Sequence, residues 1–189
     1  MRDGDGLFVV FEGIDGAGTT TQIERYAARL RAKKRAVHVT REPSTGPIGS
    51  LIRLVLTHRL SFASTHHAEM MALLFAADRL DHLEAEILPN LMEGVSVVSD
   101  RYDLSSLAYQ SVTSEIAAEE APNSVRGPES KRARATPGWI QQLNCYARRP
   151  HVTVVVDVNA DIAATRRSSR GGPRELFDDH EIQTRLARA

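Results

Sequence analysis

The stretch Leu7-Phe8-Val9-Val10-Phe11-Glu12-Gly13-Ile14-Asp15-Gly16-Ala17-Gly18-Thr19-Thr20 sets the fold class. Leu7 to Phe11 is an unbroken run of branched and aromatic residues, the pattern of a strand buried on both faces, as in parallel sheets. A glycine-rich turn follows, and from Thr20 to Arg31 the pattern becomes helical. Strand, glycine turn and helix in that order are the setting in which G-x-x-x-x-G-K-[ST] forms a phosphate cradle. Glycines let successive backbone N–H groups point at phosphate oxygens, and the helix N-terminus adds partial positive charge. Thr20 stands where a hydroxyl ligates Mg²⁺, but the lysine position holds Thr19, so the usual cation is absent. A tight glycine turn without a ligand is the bland alternative; the flanking strand and helix favour phosphate binding.

Working outward, Ala36 to Thr40, Val95 to Ser99 and Val152 to Val158 read as three further strands. A long helical stretch runs from His66 to Met92, with Leu73, Ala76, Leu80, Leu83, Ile87 and Leu91 as its core stripe. Pro43, Gly46 and Pro47 mark a loop. Strands alternating with helices predict an α/β fold, a parallel sheet with helices on both faces. Residues 111–138 interrupt the regularity with three prolines, two glycines, and separate acidic and basic clusters. They predict a long mobile insertion, with a short helix from Ser114 to Glu120 as the alternative.

With 189 residues, the chain fits one domain spanning 1–189. Its 24 basic and 24 acidic residues cancel, which argues against a general nucleic-acid or membrane-surface binder. A single cysteine, Cys145, excludes an internal disulfide. The first six residues lack the apolar region of a signal peptide, and no run approaches the ~20 apolar residues of a membrane span. The expectation is a soluble cytoplasmic protein without nucleic-acid or membrane partners.

Three more segments refine the phosphate loop. Thr40-Arg41-Glu42-Pro43 lies at the carboxyl end of the second strand, and Asp100-Arg101-Tyr102 at that of the third, followed by Ser105-Ser106-Leu107-Ala108-Tyr109-Gln110. Strand carboxyl ends are where open α/β sheets bind ligands. On the long helix, Phe75 and Arg79 share a face away from the leucine stripe, an arrangement suited to stacking a base and holding a polar group. The alternatives are a core phenylalanine and a solvated arginine. Arg166 to Glu175 is an arginine-rich stretch containing glycine and proline, readable as a solvated loop or as a functional one.

In this order, Phe11 to Gly18, Thr40 to Pro43, Leu73 to Arg79 and Asp100 to Gln110 resemble the thymidylate kinase (dTMP kinase) family. The resemblance extends from Leu7 to Ala189 apart from the insertion. It implies a P-loop nucleotide kinase fold with a short lid at about 166–177. It also implies ATP-dependent phosphorylation of dTMP to dTDP in dTTP synthesis, with Mg²⁺ accompanying ATP, in a homodimer. Gly13, Ile14, Asp15, Gly16, Ala17, Gly18, Thr19 and Thr20 would bind ATP, with Thr20 and Asp100 near the metal. Phe75 would stack on thymine and Arg79 hydrogen-bond it, while Tyr109 would sit under the deoxyribose with Ser106 and Gln110 nearby. Arg41 and Arg101 would face the acceptor phosphate, and Asp15 the 3′-hydroxyl. Position 16 is glycine rather than a basic residue, which resembles the subgroup whose catalytic arginine comes from the lid; Arg170 is the first candidate and Arg174 the second.

Three departures bear on these expectations. Thr19 leaves three readings: compensation by lid arginines, a slow kinase, or a catalytically weak nucleotide-binding module. Another (deoxy)nucleotide kinase is the alternative within enzymes. The chain stops at Ala189, before the further strand and helix usual in the family, which predicts an exposed sheet edge. The insertion is the third departure.

Overall fold

All five residues of β1 (Phe8–Glu12) are buried, as an apolar run inside a parallel sheet requires. The computed structural model describes residues 6–62, 66–120, 135–170, 176, 177 and 179–188, excepting the side chains of 120 and 170. β1 is joined by β2 (Val37–Arg41), β3 (Ser96–Asp100) and β4 (Val152–Val155) in the order β2-β3-β1-β4, with every pairing parallel. Phe11 and Arg41 both align with Asp100, and Glu12 aligns with Val155. The register therefore gathers the acidic and basic residues at one end of the sheet. From the adjacent central strands the chain leaves in opposite directions, from β1 towards β2 and from β3 towards β4. A crevice opens at such a point.

α1 (Thr19–Ala32) follows the glycine turn and buries Ile23 and Ala27 against the sheet. The segment expected to be a loop around Pro47 contains α2 (Pro47–Leu56), with Pro47 in its first turn. Proline is well placed there, because its fixed φ suits the helix and its missing N–H would have had no partner. α3 (His67–His82) passes through a π-helical turn at Leu83–Ile87 into α4 (Leu88–Met92). Ala76, Leu83, Ile87 and Leu91 of the expected stripe are buried, but Leu73 is 50% and Leu80 36% exposed. α3 instead turns inward a face bearing Met71, Ala72, Asp78, Arg79 and His82. Hydrophobic periodicity misplaces this face because its charged members are paired.

Residues 111–120, expected within the mobile insertion, complete α5 (Asp103–Glu120). No proline or glycine occurs between Asp103 and Pro122. The Ser111 hydroxyl donates to the Leu107 carbonyl and Thr113 Oγ1 to that of Tyr109 at 2.8 Å, so these polar side chains are satisfied within the helix. Residues 121–134 lie outside the described residues. Beyond them, Ala135 N donates to Ser114 Oγ at 3.0 Å, and the Thr136 hydroxyl caps α6 (Pro137–Leu143). β4 is shorter than expected and mostly exposed, followed by α7 (Ala160–Arg170) and α8 (His180–Leu186). No helix among the described residues is long and apolar enough to cross a membrane.

Candidate active site

The glycine turn is a backbone necessity before it is a ligand site. Gly16 and Gly18 adopt φ of +87° and +99°, where a Cβ is strained. A Cβ on Gly16 would also lie 2.4 Å from the Ala163 carbonyl oxygen. α7 thus rests directly against the loop. The Arg167 guanidinium donates to the Asp15 carbonyl, and Arg166 Nη1 donates to the Ala17 carbonyl at 3.0 Å. Thr19 is buried at the start of α1, leaving no basic side chain at that position. Thr20 Oγ1 donates to Asp100 Oδ2 at 2.8 Å. Asp100 Oδ1 is buried and has no hydrogen-bond partner among the described residues. A hollow between the loop and the strand ends is bordered by Thr19, Thr20, Arg41, Glu42, Asp100 and Arg101.

A second cleft, of about 550 Å³ beside about 500 Å³ for the hollow, adjoins it. Phe75, Arg79, Arg101, Ser106, Tyr109 and Gln110 line it together, joined by Asp15, Glu42, Pro43, Leu56, Tyr102, Ser105 and Phe177. Arg41 borders only the loop-side hollow and is exposed. Arg79, expected on one reading to be solvated, is 1% exposed. Its Nη2 donates to Glu42 Oε2 at 2.7 Å, the Tyr102 carbonyl at 2.9 Å and Ser106 Oγ at 3.0 Å, and its Nη1 donates to Asn144 Oδ1. Pairing of this kind permits a guanidinium to be buried. Gln110 is buried too, with its Oε1 unpartnered among the described residues.

Asp15 stands between the two compartments. Its carboxylate accepts from Arg101 Nη2 at 2.5 Å, from the Tyr109 hydroxyl at 2.9 Å and from Gln183 Nε2 at 2.9 Å. Burial pushes the Tyr109 hydroxyl well above its ordinary range, with the Asp15 charge adding to the shift and Arg101 opposing it. Tyr109 is therefore a neutral donor at physiological pH. Arg101 is held firmly charged: burial opposes its charge, but the carboxylates of Asp15, Glu12 and Asp100 favour it. Its backbone φ of +74° is strained for a non-glycine residue. Arg101 N bonds the Phe11 carbonyl at 2.8 Å, and its Nη1 bonds Ser105 Oγ at 3.0 Å.

Several supporting residues have no counterpart in the sequence reading. Glu12 accepts from Tyr102 N at 2.9 Å, Ser105 N at 3.3 Å and Ser105 Oγ at 2.5 Å, tying β1 to the start of α5. Burial raises its carboxyl above the ordinary value despite these bonds. Glu42 joins Arg79 to buried His82, whose Nε2 is 2.8 Å from Thr40 Oγ1. Gln183 is completely buried; it also bonds the Phe177 carbonyl at 2.8 Å, and its Oε1 accepts from Asp15 N at 3.2 Å. The one sequence signal for Gln183 is its place three residues before Leu186, a polar residue on a buried stripe. Arg170 ends α7 with its side chain outside the described residues, and Arg174 lies wholly outside them.

The sequence pattern of the thymidylate kinase family matches residues 11–126. A probable thymidylate kinase of Pyrococcus abyssi is 36% identical over 182 residues, covering 96% of this chain and 79% of that protein. The thymidylate kinase of Nitrosomonas eutropha is 37% identical, covering 97% and 80%. That of Bifidobacterium longum is 49% identical over 117 residues, covering 61% and 57%. A parallel sheet with a glycine loop after its first strand, an adjoining cleft and these relatives agree: the chain belongs to the thymidylate kinase family.

Proposed function

We propose that the chain transfers the γ-phosphoryl group of ATP to dTMP, giving ADP and dTDP, as a cytoplasmic enzyme of dTTP synthesis. The observation that carries this reading is that the loop-side hollow and the adjoining cleft share Asp15, Glu42 and Arg101. A donor in the Gly13–Thr20 cradle and an acceptor in the cleft would meet at these residues, so their phosphates can react in line without a covalent enzyme intermediate.

The roles follow from position. Phe75, half-buried on the cleft wall, stacks on the base, and buried Arg79 hydrogen-bonds it beside Gln110. Tyr109 lies under the deoxyribose with Ser106 near, where its ring leaves little room for a 2′-hydroxyl. Asp15 receives the 3′-hydroxyl. Arg101 faces the acceptor phosphate from the shared border and Arg41 from the loop side; a planar guanidinium suits that task. Arg170, with Arg174 second, reaches the transferring phosphoryl from the segment after α7.

The unpartnered Asp100 Oδ1 beside the Thr20 hydroxyl fits a hard divalent cation, which takes oxygen ligands. Mg²⁺ bound with ATP there would neutralise charge on the phosphate oxygens. Thr20 and Asp100 would hold it. A homodimer is the assembly that membership of the family leads us to propose.

The test is ADP release from ATP·Mg²⁺ with dTMP, dUMP, dCMP, dGMP or AMP as acceptor. Turnover selective for dTMP is expected. No turnover with any acceptor would overturn the proposal.

A further inference from the structure

Thr19 leaves the phosphate cradle without its lysine, yet a triphosphate bound there still carries concentrated negative charge. Four described guanidinium groups approach the cradle closely enough to matter, and one of them, that of Arg167, is held at the Asp15 carbonyl. Arg101 is engaged by Asp15 and Ser105, and Arg41 comes from β2, two strands away from β1. Arg166 comes from the other flank, on the helix that follows β4 beside β1.

We infer that Arg166 supplies the positive charge that position 19 lacks. Three observations carry this. Arg166 Nη1 donates to the Ala17 carbonyl at 3.0 Å and lies 3.8 Å from where a Cβ on Gly18 would stand, next to the lysine position itself. The Ala17 contact uses one of five guanidinium N–H groups, and Arg166 is an exposed residue, so donors remain beside the loop for a bound phosphate. Its helix cannot drift, because the Ala163 carbonyl packs against Gly16 and Arg167 grips the Asp15 carbonyl. The charge is thus preorganised on a helix rather than delivered by a moving loop, which is the arrangement that stabilises developing charge without reorganisation. It is distinct from any role of Arg170 or Arg174.

The inference rests on ATP being the donor, and the experiment separates the two. Arg166→Gln keeps a polar N–H-bearing side chain but carries no charge, whereas Arg166→Lys keeps the charge. Each is made alone, and Arg166→Gln also with Thr19→Lys. Steady-state rates are measured, together with calorimetric binding of the β,γ-imido analogue of ATP with Mg²⁺ and, separately, of dTMP. Arg166→Gln is expected to lower kcat/KM for ATP by about 100-fold and to weaken analogue binding. Its dTMP affinity should stay within about twofold of the parent, and Arg166→Lys should recover most of the loss. Thr19→Lys should raise the rate at least tenfold more in the Arg166→Gln background than in the parent. Equal gains in both backgrounds, or an Arg166→Gln variant that binds and turns over ATP like the parent, would overturn it. Failure of the parent to bind the ATP analogue would instead refute ATP as the donor.

Discussion

Replacing Gln183 by leucine removes a polar side chain of similar size from the point where α8 meets the phosphate loop. Three hydrogen bonds go with it. The bond from Nε2 to the Phe177 carbonyl is a neutral pair contributing about 1 kcal/mol. The bond to Asp15 Oδ2 is charge-assisted and contributes about 2 kcal/mol. The long bond from Asp15 N contributes about 0.5 kcal/mol. Gln183 is fully buried, so water does not readily replace these bonds. The expected loss is therefore about 3.5 kcal/mol, or roughly 7–14 °C in Tm for a chain of this size. Asp15 keeps Arg101 and Tyr109 but loses the partner that also holds its backbone N–H. The KM for dTMP should rise while that for ATP changes little. Urea unfolding and steady-state kinetics read the two effects independently. A Gln183→Leu protein within about 0.5 kcal/mol of the parent and with unchanged KM for dTMP would refute the anchoring role of α8.

Gly16→Ala should cost more than about 2 kcal/mol, from the strained φ and the 2.4 Å approach to Ala163, and should abolish binding of the ATP analogue by calorimetry. Arg79→Ala leaves Glu42 buried without its arginine and should lower stability by about 3–5 kcal/mol in urea unfolding. Glu86 illustrates the pH dependence. Burial raises its carboxyl, but hydrogen bonds from His38 and Thr40 and the charges of His82 and His38 outweigh burial and hold it below the ordinary 4.5. Its folded value being lower than its unfolded one, the stabilisation is complete above 4.5 and lost as pH falls through the folded value. Glu86→Gln should flatten that acid limb in unfolding measured against pH. Glu12 runs the other way: raised by burial, it loses stability as pH climbs from the ordinary carboxylate range through its folded value. Glu12→Gln should remove that decline.

Homologous sequence motifs located most of the candidate site before any tertiary contact was known, because each motif is a local backbone device at a strand end. The glycines at 16 and 18 announce positive φ, and the apolar run before them announces a buried strand. Asp100, Arg101, Ser106, Tyr109 and Gln110 follow one strand into one helix, so their proximity is a matter of a few residues. What stayed illegible depends on separation along the chain. Gln183 meets Asp15 across 168 positions, and Arg166 meets Ala17 across 149. No local pattern encodes such a meeting.

Charge inside the protein was illegible for a different reason. Arg79, Asp78 and His82 look solvent-facing to any hydropathy pattern, and Leu73 and Leu80 look like core. A charged side chain is buried only if its partners are already in place, and Glu42, Ser44, Ser106 and Asn144 arrive from other elements. The sequence by itself determined the parallel α/β arrangement, the phosphate loop and the residues at the strand ends, since these follow from periodicity and backbone stereochemistry over short spans. Only the tertiary structure decided which face of α3 points inward, how Asp15 is held and which helix braces the loop, since these are set by pairing energies between residues that the chain brings together only on folding.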